Sequence, residues 1–167
     1  MPHNLGNMFF SKSFGYAVRG VLYIALMQDE KHYVQVEEIA CKLVAPKHFM
    51  GKILKKLVKE NILLSVKGPS GGFTLTRETL ELPVMKLAVL TDGVDFFDKC
   101  VLRVKECDTD NPCPLHYQVV EIRNKLKNVL SSTKIGDLLK ENKADFIKSL
   151  SAANVTSILA AGKEEIY

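Results

Sequence analysis

The stretch Lys67-Gly68-Pro69-Ser70-Gly71-Gly72 most narrows what this chain can fold into. Three glycines and a proline within six residues force the backbone to reverse. Before it, residues 62–66 are apolar and in part β-branched. After it, Phe73-Thr74-Leu75-Thr76 alternates as a half-buried strand does. Strand, glycine-rich tip and strand make a β-hairpin. Directly upstream, over residues 46–60, Phe49, Met50, Ile53, Leu54 and Leu57 recur at the spacing of one helix face, while Lys47, His48, Lys52, Lys55, Lys56 and Lys59 occupy the other sides. Pro46 suits the first turn of that helix, where its missing N–H is not needed.

A short helix over residues 36–43, with Val36, Ile39, Ala40 and Leu43 inward, precedes the basic helix across the tight link Val44-Ala45. Two helices joined this closely, the second basic, predict a helix-turn-helix, and the hairpin behind it is then a wing. Charge placement agrees. Between residues 46 and 77, seven cations face the single carboxylate of Glu60, so this segment carries +6 and the rest −2 of the chain's net +4. A solvated lysine-rich surface would explain the lysines, and an ordinary surface hairpin the turn. The two together point to double-stranded DNA, with Lys47, His48, Lys52, Lys55, Lys56 and Lys59 on the helix and Lys67, Ser70, Gly71 and Gly72 on the wing as its contacts. The N–H groups of Gly71 and Gly72 are expected to approach the sugar-phosphate edge. Arg19 is read either as a phosphate or intersubunit contact or as plain surface.

The remaining elements frame this unit. Residues 11–29 read as a helix capped by Ser11 or Ser13, with Gly15 and Gly20 lowering its propensity so that packing must hold it. Residues 82–90 read as a short helix, and residues 93–114 lose all periodicity. Helical spacing returns over residues 115–130, where Leu115, Val119, Ile122, Leu126 and Val129 form a seam at intervals of four, three, four and three. Such a seam predicts packing against the first helix or a second subunit. Thr133 is read as the cap of a short helix over residues 134–139, with a further helix over 142–150. The fold class is mainly α with a small β-hairpin. The divisions are residues 8–92 (winged helix-turn-helix), 93–114 (cysteine-containing sensor loop), 115–150 (dimerisation helix and following short helices) and 151–167 (tail).

Of four cysteines, Cys100, Cys107 and Cys113 lie in the aperiodic segment, and His116 follows closely. The gaps of six, five and two residues fit neither zinc fingers nor bacterial ferredoxins. Thiolates and imidazole suit iron-sulfur clusters, zinc or copper, and a long irregular loop wraps more readily around a cluster than around one ion. A regulatory Cys107–Cys113 disulfide, or inert buried cysteines, remain open on spacing alone. Cys41 is read as a buried small hydrophobe. The first twelve residues lack the marks of a secretory signal, and no run of eighteen apolar residues could span a bilayer, so a cytoplasmic protein is expected. The lysine and serine or threonine of a nucleotide-binding loop do not follow residues 68–72, and the expectation is not an enzyme.

Taken together, these residues resemble the Rrf2 family of bacterial winged helix-turn-helix regulators over residues 10–139. The marks are Tyr16-Ala17-Val18-Arg19, Val36-Glu37-Glu38-Ile39-Ala40, Phe49-Met50-Gly51-Lys52-Ile53-Leu54, the wing through Leu75, and the Cys100, Cys107, Cys113 and His116 set. The resemblance implies a homodimer joined by the helix over residues 115–130 and a palindromic operator. It also implies an iron-sulfur cluster, of 2Fe-2S or 4Fe-4S type, on the three cysteines. His116 matches the fourth ligand of some members. Others use an acidic residue of the partner's first helix, but no Asp or Glu precedes Asp29 here, and Gly15 sits near that place. This favours His116, or an open position where a small molecule binds iron. The expected function is a regulator, read as a repressor, whose operator affinity the cluster switches. The alternative is the same fold governed by thiol redox state or a partner protein.

Overall fold

The computed structural model describes residues 10–98, 100, 102 and 108–140. Cys107, the expected helix over residues 142–150 and the tail lie outside the described residues. Among those described, six α-helices and one hairpin form a mainly α fold with the expected winged helix-turn-helix and a long helix behind it.

Helix α1 (Lys12–Met27) begins where Ser11 Oγ accepts the N–H of Phe14 at 3.2 Å. Its buried face, including Ala17, Val21, Leu22, Ile24 and Leu26, runs through the centre of the core against helices α3 (Lys47–Lys59) and α5 (Met85–Asp92). Helix α2 (Val36–Lys42) packs on α3. The link between them turns on Val44, which takes φ +50, a backbone strain of about 1–3 kcal/mol for a β-branched residue. Burial of Leu43 beside it, 2% exposed, offsets this by about 1.5–3 kcal/mol. Pro46 stands one position earlier than expected, as the N-cap of α3.

The far end of α3 closes on Asn61, at φ +57. The N–H of Ile62 reaches the Leu57 carbonyl at 2.9 Å, and that of Asn61 the Val58 carbonyl at 3.0 Å, the paired bonds of a Schellman cap. This cap aims the chain straight into strand β1 (Leu64–Val66), which pairs antiparallel with β2 (Gly72–Thr74) in the register Leu64↔Thr74, Ser65↔Phe73 and Val66↔Gly72. Val34 joins the far edge of β2 by exchanging two hydrogen bonds with Phe73, at 2.9 and 2.8 Å. The wing is thus stitched to the strand that leads into α2.

Two features lie beyond the sequence reading. A five-residue helix, α4 (Arg77–Glu81), follows the wing, anchored by the buried Thr79 hydroxyl, which donates to the Ile62 carbonyl at 2.7 Å. Helix α6 (His116–Ser132) ends at Thr133. Thr133 is therefore the C-cap of α6 rather than the start of the next turn. The chain then bridges back to Pro83: Val84 N–H donates to the Thr133 carbonyl at 2.9 Å and Ile135 N–H to the Leu82 carbonyl at 2.9 Å. A 3-10 turn (Ile135–Leu139) then buries Ile135 completely against the winged domain. No helix among the described residues is long and apolar enough to cross a membrane.

A three-residue cluster ties α1 to α2. Glu38 accepts hydrogen bonds from Lys31 Nζ at 2.7 Å and from the Tyr23 hydroxyl at 2.9 Å. The Lys31 bond holds the Glu38 carboxyl below the usual glutamate range; partial burial opposes this and the Tyr23 bond assists it. A depressed carboxyl pKa stabilises the fold above the unfolded-state value, and the effect disappears as pH falls through the folded-state value. Glu38→Gln is therefore expected to flatten the loss of thermal midpoint between about pH 5 and about pH 3 while leaving its neutral-pH slope unchanged. An unaltered acid limb would remove Glu38 from the account.

Candidate nucleic-acid interface and cysteine segment

On α3 the core takes Met50, Ile53, Leu54 and Leu57, leaving Lys47, His48, Lys52, Lys55, Lys56 and Lys59 all exposed. Their side chains are not equivalent. Lys52, Lys55 and Lys59 make no ion pair among the described residues. Lys47 Nζ lies 2.6 Å from Glu37 Oε1 at the start of α2, and this hydrogen bond holds Glu37 below the usual carboxylate range. Both groups are more than half exposed, so the pair contributes little to folding and can exchange Glu37 for a phosphate. Lys56 turns away from its neighbours and donates to the Leu90 carbonyl of α5 at 2.6 Å. Arg19 folds back on its own helix, bonding the Gly15 carbonyl at 3.1 Å and lying 4.8 Å from the centre of the Tyr16 ring.

The wing tip needs a correction. Lys67 and Ser70 are exposed as expected, but Gly71 is buried and its N–H closes the turn on the Gly68 carbonyl at 3.0 Å. It is not a free donor for phosphate. A Cβ on Gly71 would sit 2.1 Å from the Val66 carbonyl oxygen, and one on Gly72 2.5 Å from that of Val34. These glycines are present because backbone passes too close for a side chain. Sequence reasoning missed Gln35: its Nε2 donates to the Pro69 carbonyl at 2.6 Å, spanning a cleft of about 280 Å³ between the wing and the start of α2. Its one signal is a polar side chain at the N-cap position.

The cysteine segment begins at the end of α5 and finishes at α6. Cys100 is buried and Cys113 half-buried. Cys113 O accepts the N–H of His116 at 2.9 Å, which places the two residues on one turn at the start of α6. His116 is buried, 4% exposed, beside a cleft of about 280 Å³ whose other walls include Phe97, Asp98, Thr109, Arg123 and Lys127. The described residues hold no group of three potential metal ligands, and Cys107 lies outside them. The donors that are described suit a cluster chemically: cysteine sulfurs, an imidazole, and the amino-terminal end of a helix, which favours negative charge. Cys41 corrects a second expectation, for it is exposed on α2.

Along α6 the seam divides. Leu115, Ile122 and Val129 are exposed at 43%, 54% and 57%, whereas Val119 and Leu126 are half-buried and Leu126 packs on the core. The inward line is instead His116, Val120, Arg123, Lys127 and Leu130.

A winged helix-turn-helix, a cysteine segment and a long helix in this order match one family over most of the chain. The Rrf2 family, described as iron-dependent transcriptional regulators, matches residues 10–141. The chain belongs to the Rrf2 family. An Rrf2-family chain of this kind is a DNA-binding transcriptional regulator and not an enzyme. It is 33% identical over 134 residues to a protein of Aquifex aeolicus described as an HTH-type transcriptional regulator, spanning 79% of this chain and 92% of that one. It is 27% identical over 128 residues to the HTH-type transcriptional regulator IscR of Vibrio atlanticus, spanning 76% and 72%. Its fold is similar to that of CymR, the global cysteine regulator of B. subtilis, with a TM-score of 0.66 at 19% identity over 80% of this chain and 98% of that one.

Proposed function

We propose that this Rrf2-family chain acts as a homodimeric repressor on a palindromic operator, its affinity switched by an iron-sulfur cluster on Cys100, Cys107, Cys113 and His116. The supporting observation is the position of Cys113 and His116. Cys113 and His116 are joined by the turn that leads into α6, whose exposed stripe would offer the dimer contact, and the segment before them leaves the end of α5. A bound cluster would supply thiolate-ligated iron, which responds to iron supply, oxidants and nitric oxide. The chain's own part is to hold those donors between the winged domain and the dimer helix. Lys47, His48, Lys52, Lys55 and Lys59, with Lys67 and Ser70, would face the duplex, and two recognition helices would meet half-sites about 34 Å apart. The same cysteines support a second reading, in which their oxidation replaces the cluster as the signal.

Anaerobic reconstitution separates the two readings. The parent protein is expected to show visible thiolate-to-iron absorption with matching iron and sulfide counts, and Cys113→Ser to lose most of it. Cluster-loaded and cluster-free parent should differ in affinity for a selected palindromic duplex by on the order of tenfold, or 1.4 kcal/mol. Background iron in the parent, with affinity that follows thiol oxidation instead, would discard the cluster in favour of the second reading.

A further inference from the structure

We infer that Lys56 is a positioning residue, which fixes the recognition helix α3 against the end of α5 and so to the origin of the cysteine segment. This rests on α3 being the helix that enters the duplex.

The last carbonyls of a helix lack partners within it and carry its negative end. In α5, the Val89 carbonyl is taken by Gly93 N–H at 2.9 Å and the Leu87 carbonyl by the Thr91 hydroxyl at 2.9 Å. The Leu90 carbonyl is taken by Lys56 Nζ at 2.6 Å. A lysine there is favourable twice, as a hydrogen-bond donor and as a cation at a helix C-terminus. Two residues on, Asp92 Oδ1 accepts the N–H of Ser11, the N-cap of α1, at 3.1 Å. The final turn of α5 thus grips the start of α1 with one residue and the last turn of α3 with another. Immediately after it, Gly93 at φ +90 starts the segment that leads to Cys100. A displacement of that segment pulls first on the turn that Lys56 holds. By contrast, Lys52, Lys55 and Lys59 have no such tie among the described residues.

A positioning role and a phosphate contact leave different traces. Losing a phosphate contact weakens all duplexes alike and reduces the salt slope by about 0.9. Losing a strut misplaces base-reading side chains and reduces discrimination alone. The probes are a palindromic duplex selected by the parent protein from a random pool and a scrambled duplex of the same composition, titrated across a range of salt. Lys56→Met is expected to weaken the selected duplex about tenfold, leaving the scrambled duplex and the salt slope unchanged and lowering the thermal midpoint by no more than about 4 °C. Lys52→Met should weaken both duplexes and lower the slope. If Lys56→Met instead behaves as Lys52→Met does, or changes neither duplex, the strut is wrong. If Lys52→Met alters nothing on either duplex, the assignment of α3 to the duplex falls, and the strut with it.

Discussion

Gly72→Ala is expected to lower the thermal midpoint by about 6–12 °C and to weaken duplex binding at least tenfold. Two independent penalties act at this residue. Its φ of +147 lies in a region that L side chains rarely adopt, which costs about 1–3 kcal/mol. An added Cβ would also stand 2.5 Å from the Val34 carbonyl oxygen, 2.7 Å from its carbon and 3.1 Å from Gln35 N, all backbone atoms that cannot rotate aside. The simplest relief is for β2 to move away from Val34, breaking both hydrogen bonds between Val34 and Phe73. A combined cost of about 3 kcal/mol follows. The wing would then separate from α2, so binding should fall further than the stability change alone explains. Differential scanning calorimetry and duplex titration of the same sample give the two quantities. A variant with parental midpoint and affinity would show that the wing tolerates displacement, and its stitching to Val34 would lose its importance.

The second large effect is predicted for Ile122→Glu. Ile122 is 54% exposed at the middle of α6, with Leu115 and Val129 one heptad to either side. Within a single chain the substitution buries nothing and should leave the fold intact, so circular dichroism should not change. In a dimer whose two α6 helices pack along this stripe, it would bring two carboxylates into an apolar contact, a desolvation penalty of several kcal/mol. Sedimentation should then report a monomer. Duplex affinity should drop by about 10²–10⁴, because the second half-site is no longer bound within one assembly. A variant that remains dimeric would place the interface on another face of α6 or on another element.

The helix-turn-helix and wing were legible because their signals are local. Glycine and proline punctuate the turn, and the lysines of α3 alternate with a strict apolar face. Helix α4 was missed because its five residues carry no apolar period and begin only two residues after a strand. The pairing of Thr133 to Ile135 with Leu82 to Val84 joins segments some fifty residues apart, and neither side announces the other. Cys41 was misjudged against its own helix. It lies two residues, hence about 200°, from Ile39, which faces the core, and so points outward. The seam of α6 was drawn from apolar residues alone, but the inward line includes His116, Arg123 and Lys127, which no hydrophobic pattern reveals. The turned-away Lys56 was equally invisible, since sequence distinguishes it in no way from Lys55.

The bridge between Pro83 and Lys134 makes α6 a lever with a fixed fulcrum. Its carboxy-terminal end is fastened to the winged domain by backbone pairing, and the cysteine segment meets it at the opposite end. Seventeen residues give an arm of about 25 Å, so a tilt of about 5° would carry the end at His116 through about 2 Å. If Cys113 and His116 were to shift, each residue of the exposed stripe would move in proportion to its distance from that fulcrum, Leu115 farthest and Val129 least.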